Sequence, residues 1–479
     1  MLKTMPGYIV ISFFITVLLC IYAFGEDTAT PADKHQSEST STDVSSTTTP
    51  SVEIIDTLSL PGWFPQILGG QINAVYQTMP AFKNPYEGDN SLRSDTGYKQ
   101  NITHVYGLYL GSYIMSGLQG YLDVEMARGK GIGQGVGLGG YVNGDVIRTG
   151  SVDLGQEPYV ARMFLRYLIP LSSETLKAER GIDQLPGDEP DKRLEIRVGK
   201  FSTADVFDQN RYANNTRVQF MDYAFITNPS YDYAGDTRGY SYGFAVSYVQ
   251  PSWQLTYGSM MVCTVANGNI FDTQIGKARG DNLEFTLKPN DKGTVVRLLT
   301  FYNQGRMGNY ASALNTAYTT LSTPSVKLDE RPGRNKYGFG VNFEQPLADD
   351  GETGFFARIG WNDGHNEDFS YTEVDRDVSV GVQISGVHWT RAEDRLGMAF
   401  ALNGISEIHK QYISAGGYGF LIGDGRLNYR LEQILETYYR IQILKYVQIN
   451  PAFQFIRNPG YNQDRGPVEV YSLRVRLYF

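Results

Sequence analysis

Residues 202–239, which read STADVFDQNRYANNTRVQFMDYAFITNPSYDYAGDTRG, combine side-chain types that suit sugar binding. Forked or planar hydrogen-bonding groups can bind adjacent hydroxyls of a sugar, and a flat aromatic ring can pack against its apolar C–H face. The candidate contacts in this segment are Asp205, Asp208, Asn210, Arg211, Tyr212, Tyr231, Tyr233, Asp236 and Arg238. The alternative is a surface loop whose Asp and Asn residues only shape turns.

A second set of charged residues lies on the polar face of the extended segments described below. Mixed signs on facing walls of a water-filled passage create a transverse field, which suits polar neutral solutes or mild ion selection. The alternative is that these charges only hydrate and brace the wall. The basic members are Arg162, Arg166, Arg197, Arg297, Arg358, Arg440, Arg474 and Arg476, and the acidic members are Asp123, Glu125, Glu195, Glu284, Glu344 and Glu436.

Other chemistries lack the residues that they need. The five histidines and two cysteines show no metal-ligand spacing, and no Ser/His/Asp set can be argued from spacing. The run from Gly135 to Gly140 fits G-x-G-x-x-G but lacks the strand–turn–helix context of a dinucleotide site. The net charge of −9 argues against a nucleic-acid partner. We therefore expect no enzyme activity, no cofactor and no metal.

From residue 66 onward, apolar residues recur with a period of two, which is typical of strands with one apolar and one polar face. The clearest case is 468–479, where five apolar residues alternate with Ser472, Arg474 and Arg476. Such a strand fits a membrane barrel, with one face in lipid and one in water. A soluble β-sandwich also alternates, so the period alone does not decide the fold class.

The lengths of the connections favour a barrel, because short ones alternate with much longer ones, as periplasmic turns alternate with extracellular loops. We predict an all-β transmembrane antiparallel barrel of about 16 strands. The connection from Pro170 to Arg193 is too long for its turn position, and we predict only a charged, mobile insertion there. The predicted strands are 66–77, 103–113, 118–127, 159–169, 194–201, 240–249, 253–262, 281–288, 293–303, 336–345, 353–361, 378–388, 395–403, 433–443, 446–456 and 468–479.

The two ends of the chain carry features of export and assembly. Residues 1–25 have the basic start, apolar core and small-x-small cleavage site of a signal peptide. Residues 26–59 are rich in Ser and Thr, which predicts a disordered periplasmic tail, and the barrel domain is then 60–479. The apolar alternation up to Phe479 is the pattern that the barrel assembly machinery is expected to bind. These features predict an integral protein of the bacterial outer membrane.

Several stretches resemble one family of outer-membrane channels. They are RVGKFSTADVFDQNRYANN at 197–215, SAGGYGFLIGDGRLNYRLEQILETYY at 414–439 and NPGYNQDRGP at 458–467. These stretches are similar to the carbohydrate-selective porins of Gram-negative bacteria, the OprB type. The resemblance covers about residues 60–479 and fails at the Ser/Thr tail, at Arg148–Glu157 and at the charged insertion after Pro170.

The resemblance implies a sixteen-stranded porin for passive diffusion of glucose or related sugars. In many sixteen-stranded porins the third outer loop folds inward and narrows the channel, and residues 202–239 occupy that place. The positions that match the family, as candidates for the constriction or its support, are Arg197, Asp205, Asp208, Asn210, Arg211, Asn458, Asn462, Asp464 and Arg465. For 458–467 we favour a structural role, because its Pro and Gly residues are typical of turns.

We therefore expect carbohydrate-preferring diffusion of small hydrophilic solutes across the outer membrane. A general or anion-preferring porin without sugar selectivity stays open, because the basic candidates in the lumen outnumber the acidic ones. The expected partners are small sugars as transported solutes, outer-membrane lipid, and the assembly machinery through the strand that ends at Phe479. A homotrimer and a monomer are both compatible with the sequence.

Overall fold

The computed structural model describes residues 64–93, 99–146 and 154–479. The predicted signal peptide, 1–25, and the predicted tail, 26–59, lie outside the described residues.

Sixteen strands of the described chain close into one antiparallel barrel. All sixteen predicted strands are confirmed, and their ends differ from the prediction by at most five residues. The barrel strands are β1 (Gln66–Thr78), β2 (Gln100–Met115), β3 (Leu118–Arg128), β4 (Tyr159–Pro170), β7 (Arg193–Phe201), β8 (Ser241–Val249), β9 (Trp253–Met261), β10 (Arg279–Leu287), β11 (Val295–Met307), β12 (Arg331–Ala348), β13 (Thr353–Asn362), β14 (Arg376–Ser385), β15 (Arg395–Gly404), β16 (Glu432–Leu444), β17 (Val447–Arg457) and β18 (Val468–Tyr478). A separate two-stranded sheet contains β5 (Thr175–Ala178) and β6 (Gly187–Pro190).

The barrel closes where β18 pairs with β1, in a register that runs from Gln71 opposite Tyr478 to Thr78 opposite Tyr471. Phe479 extends this seam, because its N–H donates to Gly70 O at 3.1 Å and its carbonyl accepts from Gly70 N at 3.2 Å. A side chain on Gly70 would overlap the Phe479 ring, so the glycine permits this close approach.

The two faces of the barrel wall have opposite polarity. On β18, Leu473 is 43% exposed and points outward, whereas Arg474 is 1% exposed and points into the barrel. On β12, Phe339 is 48% exposed and Asn342 is buried. The apolar side chains therefore form the outer, lipid-facing surface and the polar ones face the interior, as the alternation predicted.

The connections differ strongly in length at the two ends of the barrel. Short turns, such as 250–252 and 445–446, gather at the periplasmic end, and long loops occupy the other end. The described parts of the outer loops contain three α-helices, α1 (Tyr223–Ile226), α2 (Tyr310–Thr320) and α3 (Glu407–Ser414). None of the helices in the described residues has the length and hydropathy that a membrane crossing needs.

The segment Leu171–Lys192, which we name the periplasmic hairpin, differs from the expected loose insertion. Its strands β5 and β6 pair with each other, and Gly181 and Gln184 form a further bridge near the tip. Leu185, beyond the tip, is completely buried. A single leucine among charged residues thus anchors a segment that composition alone made appear unstructured.

Much of the hydrophobic core lies inside the barrel, where the outer loops pack on one another and on the wall. Phe220, from the loop after β7, stacks edge-on against Tyr438 of β16 at 4.9 Å and contacts Phe356 of β13 at 5.9 Å. Residues 202–240, which we name the inward loop, therefore cross the lumen rather than lie on the surface.

Candidate functional site

The inward loop leaves β7 through a tight turn that points it into the lumen. Ser202 and Asp205 form a capping box around the short 3-10 turn Thr203–Asp205. The Asp205 carboxylate then binds Arg162 of β4 through two hydrogen bonds of 2.7 Å. Asp208 has a φ of 54°, a left-handed conformation that Asp tolerates better than most residues. These local features direct the chain across the barrel.

Wall glutamates hold the inward loop by its backbone. Glu284, Glu344 and Glu436 lie on β10, β12 and β16, and each accepts hydrogen bonds from loop N–H groups. The donors are the N–H groups of Asp208, Arg211, Met221 and Asp222, at 2.7–2.8 Å. A loop inside a barrel has little water for its amides, so wall side chains must satisfy them.

Wall arginines complement the glutamates by donating to loop carbonyls. Arg358 of β13 donates to Phe225 O at 2.9 Å and to Ala213 O at 2.7 Å, and its Nε lies 3.2 Å from the Asp208 carboxylate. Arg474 of β18 donates to Gln219 O at 3.0 Å and also to Thr216 O. Wall carboxylates therefore accept hydrogen bonds from N–H groups of the loop, and wall guanidinium groups donate hydrogen bonds to its carbonyls.

These contacts correct part of the predicted solute-contact set. Glu284, Arg358, Glu436 and Arg474 do face the interior, but they are buried beneath the inward loop and do not line open water. The physical reason is that the loop backbone competes successfully for their hydrogen-bonding capacity. For these four residues the bracing alternative describes the structure.

The candidate contacts within the inward loop are mostly buried as well. Tyr212 is fully buried and donates to Gly351 O in the turn between β12 and β13, at 2.8 Å. Tyr231 and Tyr233 pack against each other, with ring centroids 5.4 Å apart. Aromatic rings of this size fill the space between loops, so their expected stacking on a solute is not supported. The loop candidates that are likewise buried are Asp208, Asn210 and Asp236.

Sequence reasoning missed Arg217, which connects three parts of the interior. Its guanidinium lies 2.7 Å from Glu125 of β3 and 2.6 Å from Asp145 of the glycine-rich loop, 129–158, and it donates to Tyr109 OH at 2.8 Å. Glu125 also accepts from Tyr240 OH at 2.9 Å. A charged residue in an irregular loop has no periodicity that assigns it a face, so no sequence signal identified it.

Charges that still border open space gather along β4, β7 and the start of the inward loop, opposite uncharged residues of β8 and β9. They surround a cavity of about 200 Å³. Its lining residues are Arg166, Arg193, Glu195, Arg197, Asp205, Val206, Ala245, Ser247 and Gln254. The Arg197 guanidinium lies 4.6 Å from the centre of the Phe164 ring, and Arg197 also lines the cavity. Of the predicted candidates, Arg166, Arg197, Glu195 and Asp205 are thus brought together.

A wider cavity of about 710 Å³ lies at the periplasmic end, below the inward loop. Arg211 is exposed there, and Arg297 pairs with Glu344 at 3.2 Å. Lys288 and Asp291, in the turn between β10 and β11, complete its charged rim. We name this space the periplasmic vestibule.

The predicted residues Arg440 and Arg476, with Arg395, which was not predicted, form a basic strip on β15 to β18. Arg395 and Arg440 are direct partners across β15 and β16. Arg476 donates only to the amide oxygens of Gln71, at 2.8 Å, and Gln448, at 3.4 Å, among the described residues. In the same part of the chain, the buried Nε of Arg440 has no hydrogen-bond partner. This strip therefore carries positive charge that carboxylates compensate incompletely.

Arg238, the remaining loop candidate, lies over the ring of Tyr159 at 4.4 Å and is only partly buried. Arg162, in contrast, contacts three carboxylates, those of Asp123, Asp183 and Asp205, at 3.2, 3.3 and 2.7 Å. Arg238 is therefore more available to contact a solute than Arg162, whose guanidinium is occupied by three carboxylates.

Residues 458–467 tie outer loops together, in agreement with the structural role favoured from the sequence. Arg465 is buried and binds Asp424, Asn84 Oδ1 at 2.9 Å and the Leu92 carbonyl at 2.5 Å. Asn462 donates to Asp424 at 2.9 Å. Asn458 donates to Leu431 O at 2.8 Å, and Asp464 accepts from Tyr86 OH at 2.9 Å.

The fold also gathers potential metal ligands that sequence spacing did not reveal. One ligand atom each from Asp368, Glu373 and His409 lies within 4.8 Å of the others. Lys336, fully buried, already pairs with Asp368, and His409 Nδ1 lies 3.1 Å from Asp375. Although burial alone would raise it, the hydrogen bond with His409 holds the pKa of Asp375 below its usual range. Lys336 already supplies a positive charge next to Asp368, one of the potential metal ligands. These side chains therefore fit an ion cluster that holds the outer loops together.

Of three similar solved structures, the first supports the fold. OprB of Pseudomonas putida matches with a TM-score of 0.63 at 15% identity, covering 87% of this chain and 94% of that chain. OmpF of Salmonella typhi matches with a TM-score of 0.46 at 10% identity, over 87% and 98% of the two chains. OmpT of Vibrio cholerae matches with a TM-score of 0.44 at 10% identity, over 88% and 99%. No curated protein sequence matches this chain.

The family is established by the sequence match. The model of the carbohydrate-selective porin, OprB family, matches residues 118–479, which is most of the chain. The predicted resemblance, the barrel fold and the outer-membrane location are thereby confirmed. The chain belongs to the carbohydrate-selective porin, OprB family, and is an integral outer-membrane channel for sugars.

Proposed function

We propose that sugars diffuse passively through the space between the inward loop and the wall formed by β7 to β12. The cavity of about 200 Å³ along β4 and β7 to β9 would be the narrow part of this path, and the periplasmic vestibule its exit. The observation that carries the proposal is the cavity lining, where Arg197 and Arg193 lie beside Glu195, Asp205 and polar amide and hydroxyl groups.

The chemistry of this lining favours neutral polar solutes. Guanidinium groups donate and carboxylates accept, so a sugar hydroxyl can do both with neighbouring wall groups. Opposite charges close together also limit the net field on a passing ion. Contacts must remain weak, because a site that held sugar tightly would block its own channel.

The size of the cavity supports selection by contact. A volume of about 200 Å³ holds roughly seven water molecules at ~30 Å³ each. A solute in such a space would touch several lining groups at once, whereas a solute in a wide aqueous pore touches few. We assign Arg197, Glu195, Asp205 and Gln254 as the contact residues.

The test is transport by the reconstituted protein with Arg197→Gln. Liposome swelling with hexoses and with amino acids of similar size should show a lower sugar-to-amino-acid ratio in the variant, with little change in maximal flux. Arg331→Gln is the matched control, because the Arg331 side chain is 70% exposed at the outer end of β12. An unchanged ratio in Arg197→Gln would contradict the assigned contacts.

The basic strip on β15 to β18 supports a second candidate, a preference for anionic solutes. Arg440 and Arg476 carry charge that neighbouring carboxylates compensate incompletely among the described residues. If this strip borders the path, the reversal potential in a salt gradient should indicate anion selectivity. Arg440→Gln with Arg476→Gln should then reduce that selectivity and leave neutral sugar flux unchanged.

We propose that the protein catalyses no reaction. The channel family supports this, and so does the cluster of Asp368, Glu373 and His409, which is buried among loops and has its Asp368 paired with Lys336. Incubation with glycosides and esters should release no product above that of a porin-free membrane.

We also propose that the barrel assembly machinery recognises the strand that ends at Phe479. The extended backbone at Phe479 and the outward apolar face of β18 support this. Phe479→Asp should lower the yield of heat-modifiable protein in the outer membrane, while export to the periplasm continues. Normal yield would contradict it; Tyr318→Asp, on an exposed outer helix, is the control.

A further inference from the structure

The periplasmic hairpin enters the barrel and lies along the inner side of the wall. Tyr121 OH of β3 accepts from Leu185 N at 3.2 Å, and Tyr113 OH of β2 donates to Pro186 O at 2.6 Å. An added Cβ on Gly111 of β2 would meet Leu185 Cγ at 3.2 Å. These contacts fix the far half of the hairpin against β2 and β3, inside the lumen.

Ion pairs fix the near half of the hairpin at the periplasmic mouth. Arg166 of β4 binds Glu189 of the hairpin at 2.5 Å and Glu195 of β7 at 2.8 Å. Gln184 donates to the same Glu189 carboxylate at 3.0 Å. Because Glu195 also lines the narrow cavity, the hairpin is connected directly to the proposed path.

The tip of the hairpin reaches deep into the barrel. Asp183, at the turn, lies 3.3 Å from Arg162. Arg162 is eight residues from the periplasmic end of β4 at Pro170, which corresponds to about 26 Å along the strand at ~3.3 Å per residue. A periplasmic connection thus extends more than halfway along a membrane-spanning strand.

At Arg162 the hairpin meets the inward loop. Asp205 binds this guanidinium from the outer side through two hydrogen bonds of 2.7 Å, and Asp183 binds it from the periplasmic side. Asp205 also lines the narrow cavity. One wall arginine therefore fixes two chain segments that enter the lumen from opposite ends.

We propose that the periplasmic hairpin forms the inner half of the channel constriction and sets the size limit for solutes, with Ile182 and Asp183 at its tip as specificity-determining residues. This inference rests on the proposed function, and it adds the segment that bounds the channel constriction on the periplasmic side. Ile182 is 39% exposed at the tip, so it is available to a solute. Asp183 positions the tip through Arg162.

The decisive variant replaces residues 174–190 with a short Gly/Ser turn in the otherwise full-length chain. Single-channel conductance should rise severalfold, and liposome swelling should extend from monosaccharides to trisaccharides. Unchanged conductance and size limit in a correctly assembled barrel would overturn the proposal, since the hairpin would then only brace the wall.

Two point variants keep the test valid if that deletion fails to assemble. Ile182→Trp should lower conductance and exclude disaccharides more strongly, because it enlarges the tip. Asp183→Ala should raise conductance and broaden the size range by releasing the tip from Arg162. Leu347→Trp is the matched control at the exposed periplasmic end of β12 and should change neither quantity. No effect of Ile182→Trp or Asp183→Ala would contradict the proposal.

A disulfide tests the placement independently. With Cys263 replaced by Ser, Leu185→Cys and Gly111→Cys should cross-link on oxidation, and the cross-linked channel should keep wild-type conductance. Absence of the cross-link would overturn the placement. A wild-type channel that shows no sugar preference would instead contradict the proposed function while the size limit of the hairpin variants still tests this inference.

Discussion

The inward loop and the periplasmic hairpin enter the same lumen, but the barrel holds them by different means. The inward loop is bound mainly through its backbone, by Glu284, Glu436 and Arg358 of the wall. The hairpin is bound mainly through side chains, by Arg166 at Glu189 and by Arg162 at Asp183 of the tip. Only a few hydrogen bonds, such as that from Leu185 N, fix the hairpin backbone to the wall.

This difference predicts different responses to mutation and solvent. Backbone anchoring depends on the wall residue and tolerates changes in the loop side chains, provided that the loop keeps its path. Side-chain anchoring depends on both partners and on their charge, so salt and pH act on it more directly. We expect the inward loop to be the permanent part of the constriction and the hairpin the adjustable part.

The largest effect is expected for Arg358→Ala. It leaves Asp208 unpaired and removes the donors to Phe225 O and Ala213 O in a buried site. Breaking a buried charge pair from one side costs about 3–5 kcal/mol. The thermal midpoint of heat modifiability should fall and conductance should rise, whereas Arg331→Ala should change neither. A stable Arg358→Ala variant with native conductance would contradict the idea that the wall holds the inward loop through its backbone.

A comparable effect, of roughly 2–6 kcal/mol for two unsatisfied donors, is expected for Glu436→Leu, which removes the acceptors of the Met221 and Asp222 N–H groups. Each buried unsatisfied donor costs about 1–3 kcal/mol. The matched variant Glu436→Gln keeps only one of the two acceptor oxygens, so it should lose less stability than Glu436→Leu but more than none. Equal loss in both variants would mean that the charge of Glu436, rather than its acceptor role, stabilises the loop.

Salt should separate the two segments. Raising ionic strength from 0.1 to 1 M shortens the Debye length from about 10 Å to about 3 Å, which weakens partly exposed ion pairs. In a Cys263→Ser background, a thiol reagent should label Leu185→Cys faster at high salt. Labelling of Ala213→Cys, buried in the inward loop, should stay the same. An equal increase in the labelling rate at both sites would show that salt acts on the two segments in the same way.

Acid should act with opposite sign on Glu189 of the hairpin and on Asp222 of the inward loop. Burial would raise the pKa of Glu189, but its bonds with Arg166 lower it, so its stabilisation of the hairpin is complete above about pH 4.5 and is lost below it. Burial and the neighbouring Glu436 raise the pKa of Asp222 well above its usual range, so protonation on acidification favours the inward loop. Between about pH 5 and pH 3, Leu185→Cys should become easier to label and Ala213→Cys should not.

The wall of the barrel could be predicted from the sequence because its period of two has a direct physical cause. Lipid outside and water inside impose opposite polarity on alternate residues, and this gave the correct face for Leu473, Arg474 and Phe339. The alternation of short and long connections then distinguished a barrel from a sandwich.

The interior could be predicted only in part. The period of two shows which side chains point inward, but it does not show which segment packs against them. Glu436 was correctly placed inward, but the backbone that covers it comes from a loop more than two hundred residues away in the chain. Arg217 and the buried Leu185 lie in irregular segments, where no period reveals burial. The excess length of the connection after Pro170 was the one signal that pointed to the hairpin.

The seam between β1 and β18 has a consequence for the order of folding. It joins residues about 400 positions apart, whereas the other barrel strands pair with a neighbour in the barrel sequence. The entropy lost on closing a flexible chain grows by about 0.6 kcal/mol per doubling of the enclosed length. Relative to a hairpin of about ten residues, the seam therefore costs roughly 3 kcal/mol more to close. We expect it to form last during folding and to open first on heating, which makes a disulfide across β1 and β18 the most effective single place to slow unfolding.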